Sequence, residues 1–274
     1  MDHHPGNWGN PRSRDYDLFN SSDYFPGSSS GDLASGLRPS CGASTGLITR
    51  TQQPIVTGTS VLGIKYKDGI MMAADTLASY GSLAQIRDMK RMTAFGDHTV
   101  IGASGDMSDW QHIQHMINGR IILESAQDDG HQLHPEHIFE FLSRVMYGRR
   151  SKSDPLWNAL VVGGYRDGKQ FLGFVDMQGT TYHSSTIATG YGAYIAQPLL
   201  RKAVEGHEHE LSEEDATKLL EDAMRVLFYR DARSINKIQR TTINASGITI
   251  TEPYSLATEW SFAEGIRGYG ALYE

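Results

Sequence analysis

The order in which strands and helices succeed one another along residues 59–251 constrains this chain more than any other feature. "TSVLGIKY" and "IMMAAD" read as two short strands around a Lys67-Asp68-Gly69 turn of the Asp-Gly type that closes hairpins, and "HTVIGASG" continues in the same style. Two helices follow. Ser108 and Gln111 read as a capping box ahead of Ile113, Met116, Ile117 and Ile121, which are spaced as one helical face. The second helix is predicted to begin at Pro135, a residue suited to a first helical position, and to bury Ile138, Phe139, Leu142, Val145 and Met146.

Strands return as "WNALVVGG", "KQFLGFVD" and "TTYHSS", separated by the turn signals Asp167-Gly168 and Gln178-Gly179. A helix within "GAYIAQPLLRKAVE" comes next, with Pro198 expected to kink it or to fall near its start. A longer one is capped by Ser212 and Asp215 and carries Ala216, Leu219, Leu220, Ala223, Leu227 and Phe228 on one side. "GITIT" closes the regular part. Helices and strands therefore come in blocks, without the alternation that builds parallel sheets. That pattern points to an α+β fold of antiparallel sheets flanked by helix layers. No repeat at solenoid periods is evident.

Charge and cysteine content narrow the function classes. With 25 basic and 32 acidic residues the formal charge is −7, which offers no basic stripe for nucleic acid. Cys41 is the sole cysteine, so neither an intramolecular disulfide nor a cysteine zinc site is possible. No apolar run approaches the roughly 20 residues of a membrane-spanning helix. The beginning of the chain lacks the apolar core of a signal peptide, and Asp2, Asp15, Asp17, Asp23 and Asp32 argue against a mitochondrial presequence; cytoplasm and nucleus are the expected location.

Of the first 50 residues 20 are Gly, Ser or Pro, too little apolar material to offset ordering entropy, so residues 1–50 read as a flexible leader. Its Trp8, Tyr16, Phe19, Tyr24 and Phe25 follow no regular period. The 252–274 tail is aromatic-rich, with Tyr254, Trp260, Phe262, Tyr269 and Tyr273, as expected of an interface anchor; the alternative is a tail folded back over its own domain, since aromatic residues serve both uses.

Three constellations bear on chemistry. His131, His134 and His137 recur every third residue and His112 and His115 lie three apart, but zinc sites recruit ligands from separated segments with carboxylates or cysteines, so no metal is expected. "TGYG" before a helix matches neither phosphate-loop pattern, and no cofactor is expected. The third is Gly58-Thr59. A threonine hydroxyl is a weak nucleophile unless a base takes its proton, and one solution is the residue's own α-amine, which titrates near ~8, whereas an amide nitrogen has no useful basicity. Such a threonine must be made N-terminal by cleavage. A Gly-Thr dipeptide alone reads as an ordinary strand start.

"GTSVLGIKYKDGIMMAAD", with "ASGDMSD", "ATGYGAY" and "YRDARS" in order behind it, resembles the β-type subunits of the proteasome from Thr51 to Thr251. "TQQPIVTGTSV", "SYGSL", "MYGRRSKSDPLWNALVVGG" and "ATGYGAYIAQPLLRK" are similar to the non-catalytic group at the seventh β position of the eukaryotic 20S core. The resemblance implies the N-terminal nucleophile hydrolase fold, a four-layer αββα sandwich of two antiparallel sheets. It implies partners: the other α and β subunits of the core, neighbouring β subunits, and the facing β ring, reached by the C-terminal arm.

The family's catalytic set carries over residue by residue. Thr59 falls at the nucleophile, Asp75 at the buried aspartate, and Asp231 and Ser234 at the supporting Asp-x-x-Ser. Two positions depart. Arg91 replaces the lysine of catalytic members, with Lys90 one residue off, and Tyr191 replaces a serine. Guanidinium stays charged where lysine exchanges a proton, and on a strand Lys90 would point to the other face. Tyr191 is expected to put a bulky ring beside the nucleophile's amine. Asp75, Asp231 and Ser234 also have a structural explanation, as a charged partner for Arg91 and as helix-end hydrogen bonding. The resemblance further implies leader cleavage between Arg50 and Thr51, so that residues 51–58 would still precede Thr59. The expectation is a subunit without catalysis of its own inside a threonine endopeptidase complex that serves ubiquitin-dependent degradation; the alternative is a self-processed peptidase with Thr59 as nucleophile.

Overall fold

The structure, a computed structural model, describes residues 53–263. The expected leader, the Arg50-Thr51 bond, Tyr269 and Tyr273 lie outside the described residues. The elements run in order β1 (Val56–Gly58), β2 (Val61–Tyr66), β3 (Gly69–Asp75), β4 (Ala78–Tyr80), β5 (Leu83–Ile86), β6 (Met92–Phe95) and β7 (Thr99–Asp106), then α1 (Met107–Ser125) and α2 (Pro135–Ser151). They continue as β8 (Asn158–Arg166), β9 (Lys169–Val175), β10 (Thr181–His183) and β11 (Thr186–Ala188), followed by α3 (Gly192–Val204), α4 (Glu213–Arg230), β12 (Ile238–Asn244) and β13 (Gly247–Ile250).

All strand pairs are antiparallel and make two sheets. One runs β10-β9-β8-β7-β1-β4-β5, with β6 also paired to β7; the other runs β11-β2-β3-β12-β13. α1 and α2 pack on the first sheet and α3 and α4 on the second, which gives the four-layer αββα sandwich. The alternation of β3 shows why both layers close on it. Ile70, Met72 and Ala74 enter the core between the sheets with Val61, Val100 and Val161, while Met71 and Ala73 enter the core under α3 and α4 with Leu62, Leu200 and Leu220. A strand covered on both faces has no polar side, and β3 accordingly has none until Asp75. Each buried Leu or Ile here contributes about 1.5–3 kcal/mol.

One local expectation is corrected and another is narrowed. The N-cap of α1 is Asp106, whose side chain accepts from Ser108 N and Asp109 N, so Ser108 lies inside the first turn and no Ser108-Gln111 capping box forms. Pro198 sits in the interior of α3, away from its start. Pro198 and Tyr194, the residue whose carbonyl loses a donor, are both exposed, so water can take that carbonyl. By contrast α2 begins at Pro135 and buries the five residues expected of it, and Ser212 caps α4 by accepting from Asp215 N.

The chain beyond β13 lies back on its own domain as far as Trp260. Tyr254 bridges to Ile238 and donates from its hydroxyl to Glu221 at 2.8 Å, and Leu256 is buried in the α3/α4 core. Arg225 Nε donates to Ala257 O (2.8 Å), and the Trp260 ring stands 4.9 Å from that of Tyr229 and 5.8 Å from that of Phe228. Tyr254, expected to face another subunit, is thus held by its own β12 and α4. Trp260 keeps 42% of its surface exposed, and Phe262 falls in the short 3-10 turn Ser261–Ala263 that follows.

A candidate active-site cleft around Thr59

Thr59 stands in the two-residue link between β1 and β2, and each sheet holds one end of it. β1 fills the gap between β4 and β7: Val56 and Thr57 pair with Tyr80 and Ser79, while Thr57 and Gly58 pair with Asp106 and Gly105. Ser79 Oγ also donates to Thr57 O at 3.3 Å. In the unprocessed chain Thr59 N is joined to Gly58, the last residue of a strand paired along both edges. Only glycine fits at position 58, because a Cβ there would lie 2.5 Å from Arg91 Cδ. Gly105 has φ +91° and a Cβ on it would lie 2.0 Å from Trp157 O, so the β7 side of the cleft also requires glycine.

Arg91 is the centre of the site and is 1% exposed. Its five N–H groups all have acceptors. Nε donates to Asp75 O (2.8 Å), NH1 to Thr59 O (2.7 Å) and Ala103 O (3.3 Å), and NH2 to Ser60 O (2.8 Å) and Asp75 Oδ1. A buried guanidinium requires such saturation, and a planar fork supplies it where an ammonium, with three donors, falls short. Asp75, also 1% exposed, accepts Ile235 N on its other oxygen at 3.2 Å. Burial pushes its carboxyl up from the usual carboxylate range, against the opposing pull of Arg91 and the Ile235 N–H. Lys90 is exposed and takes no part.

The Thr59 hydroxyl donates to Asp231 Oδ2 at 2.5 Å, and Asp231 Oδ1 accepts Arg233 N at 2.9 Å. Asp231 is the C-cap of α4, where Ser234 Oγ donates to its carbonyl (2.8 Å) and, more distantly, to Leu227 O. The fold thus brings Thr59, Asp75, Arg91, Asp231 and Ser234 together. Tyr191 it does not: that ring is 48% exposed, faces Tyr194 at 6.4 Å, and is absent from the cleft lining, while the backbone of Gly190 takes the place against Thr59 and Ser60. The expectation of a tyrosine ring beside the Thr59 nitrogen is corrected: the Tyr191 ring stands outside the cleft, next to a turn at Gly190 (φ +58°).

The cleft has a volume of about 330 Å³, and Thr59, Ser79, Ser104, Asn158, Asp176 and Arg233 are among its lining residues. It has room and hydroxyl groups, but Arg91, the cation bonded to the backbone of Thr59, gives none of its hydrogen bonds to the Thr59 hydroxyl. Among the residues that sequence reasoning missed, Asp106 is the most connected, and its signal was an aspartate directly before a helix. The His131, His134 and His137 rings stand 4.9–6.1 Å apart at the start of α2, where His134 is the N-cap; among the described residues no group of His, Cys, Asp and Glu has the arrangement of a metal site.

Comparison with known proteins agrees with this architecture. The family described as proteasome subunit matches residues 55–243. Proteasome subunit beta type-4 of Xenopus laevis is 47% identical over 84% of this chain and 94% of its own length. The probable proteasome subunit beta type-7 of Schizosaccharomyces pombe is 49% identical over 81% and 86%, and proteasome subunit beta type-7 of Saccharomyces cerevisiae is 41% identical over 98% of each chain. A family match across most of the domain, with relatives this similar over nearly their whole length, places the chain in the proteasome subunit family, among its β-type members.

Proposed function

We propose that this chain is a non-catalytic β subunit of a 20S proteasome core, which completes the β ring and contributes to contact between rings while other subunits cut peptide bonds. The observation that carries this reading is the use of Arg91. All five of its donors are spent on backbone carbonyls and Asp75, so the cation at the heart of the cleft acts as a structural clamp. Guanidinium cannot exchange a proton near neutral pH, and for as long as residues 51–58 precede Thr59 its nitrogen is an amide that cannot serve as general base.

In this reading leader removal stops at the Arg50-Thr51 bond and residues 51–58 persist. The partners are the α and β subunits of the core, with neighbouring β subunits at the sides and the facing ring reached through Trp260, Phe262, Tyr269 and Tyr273. The setting is ubiquitin-dependent degradation in cytoplasm and nucleus. A second reading, a self-processed threonine peptidase, draws support from the 2.5 Å hydrogen bond between Thr59 and Asp231. Intact mass and N-terminal sequencing of this chain from the native particle separate the two. A start at or near Thr51 supports the structural role, and a start at Thr59 overturns it.

A further inference from the structure

We propose that Asp106 latches the segment before Thr59 into the cleft, using one carboxylate to hold both that segment and the start of α1; the inference rests on the proposed retention of residues 51–58. Asp106 is the last residue of β7 and is 5% exposed. Its Oδ1 accepts Ser108 N (2.8 Å) and Asp109 N (3.2 Å), which caps α1. Its Oδ2 accepts Ile55 N at 2.8 Å, one residue before β1. The two oxygens thus serve different elements that are 51 and 2 residues away in sequence.

The aspartate is itself fixed from behind. Asp106 N donates to Trp157 O (2.8 Å), Asn158 Nδ2 donates to Asp106 O (2.8 Å), and Trp157 N donates to Asp109 Oδ2 (2.8 Å), which ties the first turn of α1 to the start of β8. A carboxylate held this rigidly loses little further freedom when it accepts a third N–H. The bond to Ile55 is charge-assisted, among the stronger kinds. β1 is only three residues long, and the sheet pairings of so short a strand are open to fraying at its upstream end. The latch acts at that end, so that β1 stays seated between β4 and β7 and the amide before Thr59 stays buried in the sheet. Asp106 is a positioning residue here, acting on Thr59 through the strand.

The two functions of the carboxylate separate in one substitution. Asp106→Asn keeps an oxygen to cap α1 but turns an NH2 group toward Ile55 N–H, donor against donor. The test is hydrogen–deuterium exchange with mass spectrometry on the intact, purified particle carrying this chain. The expected result is exchange at residues 55–58 faster by roughly tenfold or more, with residues 107–112 unchanged. Ile55→Pro removes the donor instead of the acceptor and is expected to speed exchange at 56–58 in the same way, which keeps the test available if the first variant does not assemble. Unchanged exchange at 55–58, or equal acceleration at 107–112, overturns the latch. A wild-type chain that already begins at Thr59 overturns the proposed function and the latch together, and is recognised by mass before any exchange is read.

Discussion

Arg91 has five N–H donors and its surroundings present five acceptors, four of them carbonyl oxygens from three different strands or links. That match explains how a full charge is tolerated at 1% exposure, and it makes the position intolerant of change. Arg91→Ala leaves Asp75 buried without its cation and is expected to cost about 3–5 kcal/mol. Arg91→Lys keeps the charge but cannot reach all five acceptors, for an expected loss of about 1–3 kcal/mol. Urea denaturation of the refolded chain measures both, and equal stability of the lysine variant and the parent would refute the saturation argument. Arg91→Lys is also expected to leave Thr59 unlabelled by threonine-directed electrophiles while residues upstream of it remain, because the missing group is the amine. The family resemblance put Arg91 and Asp75 together as a pair. It could not show that Thr59 and Ser60 offer carbonyls to the same guanidinium, since that depends on how β1 and β2 meet across two sheets.

At the level of elements, the segment after β13 shows how a tail can be divided between its own domain and whatever lies beyond it. Tyr254 sits half-buried between β12 and α4, and burial together with its hydrogen bond to Glu221 pushes its phenol well above the ordinary tyrosine range. The sign follows directly. Below the ordinary value near ~10 the phenol is protonated in both folded and unfolded chains, and its contribution is fully present. As pH rises past that value the unfolded chain loses the proton first, so the contribution falls with rising pH. Tyr254→Phe is therefore expected to be less stable than the parent by about 1 kcal/mol at pH 8 and to decline less steeply above pH 10, as read from urea midpoints at pH 8, 10 and 11. A parallel decline in both proteins would show that Tyr254 is not the alkaline group. β12 itself was not read from sequence, because "IQRTTIN" shows no apolar run, although Asn244-Ala245-Ser246-Gly247 does mark a turn after it; its place as an inner strand comes from its pairing with β3 and β13. α2 was legible to the residue, since Pro135 and a regular apolar face are local signals that need no partner.

For the whole molecule, block order alone implied antiparallel sheets under helices, whereas sheet membership depended on contacts far apart in sequence. β1 illustrates the difference. Nothing in "VTG" marks a strand, yet it joins the β7 side of the larger sheet to β4 and β5. The segment that would have to be cut away to free Thr59 is thus part of the architecture that holds the cleft in shape. The consequence can be tested by expressing the chain as a fusion whose removal leaves Thr59 first, so that the amine is supplied without self-cleavage. Without residues 55–58 the larger sheet loses the link between β7 and β4, Asp106 loses one of its partners, and Arg91 still gives its donors to the carbonyls of Thr59 and Ser60. The expected outcome is lower incorporation into particles than the parent chain, by severalfold on quantitative mass spectrometry, and no labelling of Thr59 by an epoxyketone in the particles that do form. Full incorporation with labelling would mean that β1 is dispensable and that the cleft needs only an amine to become a catalyst, and the structural role would then have to be abandoned.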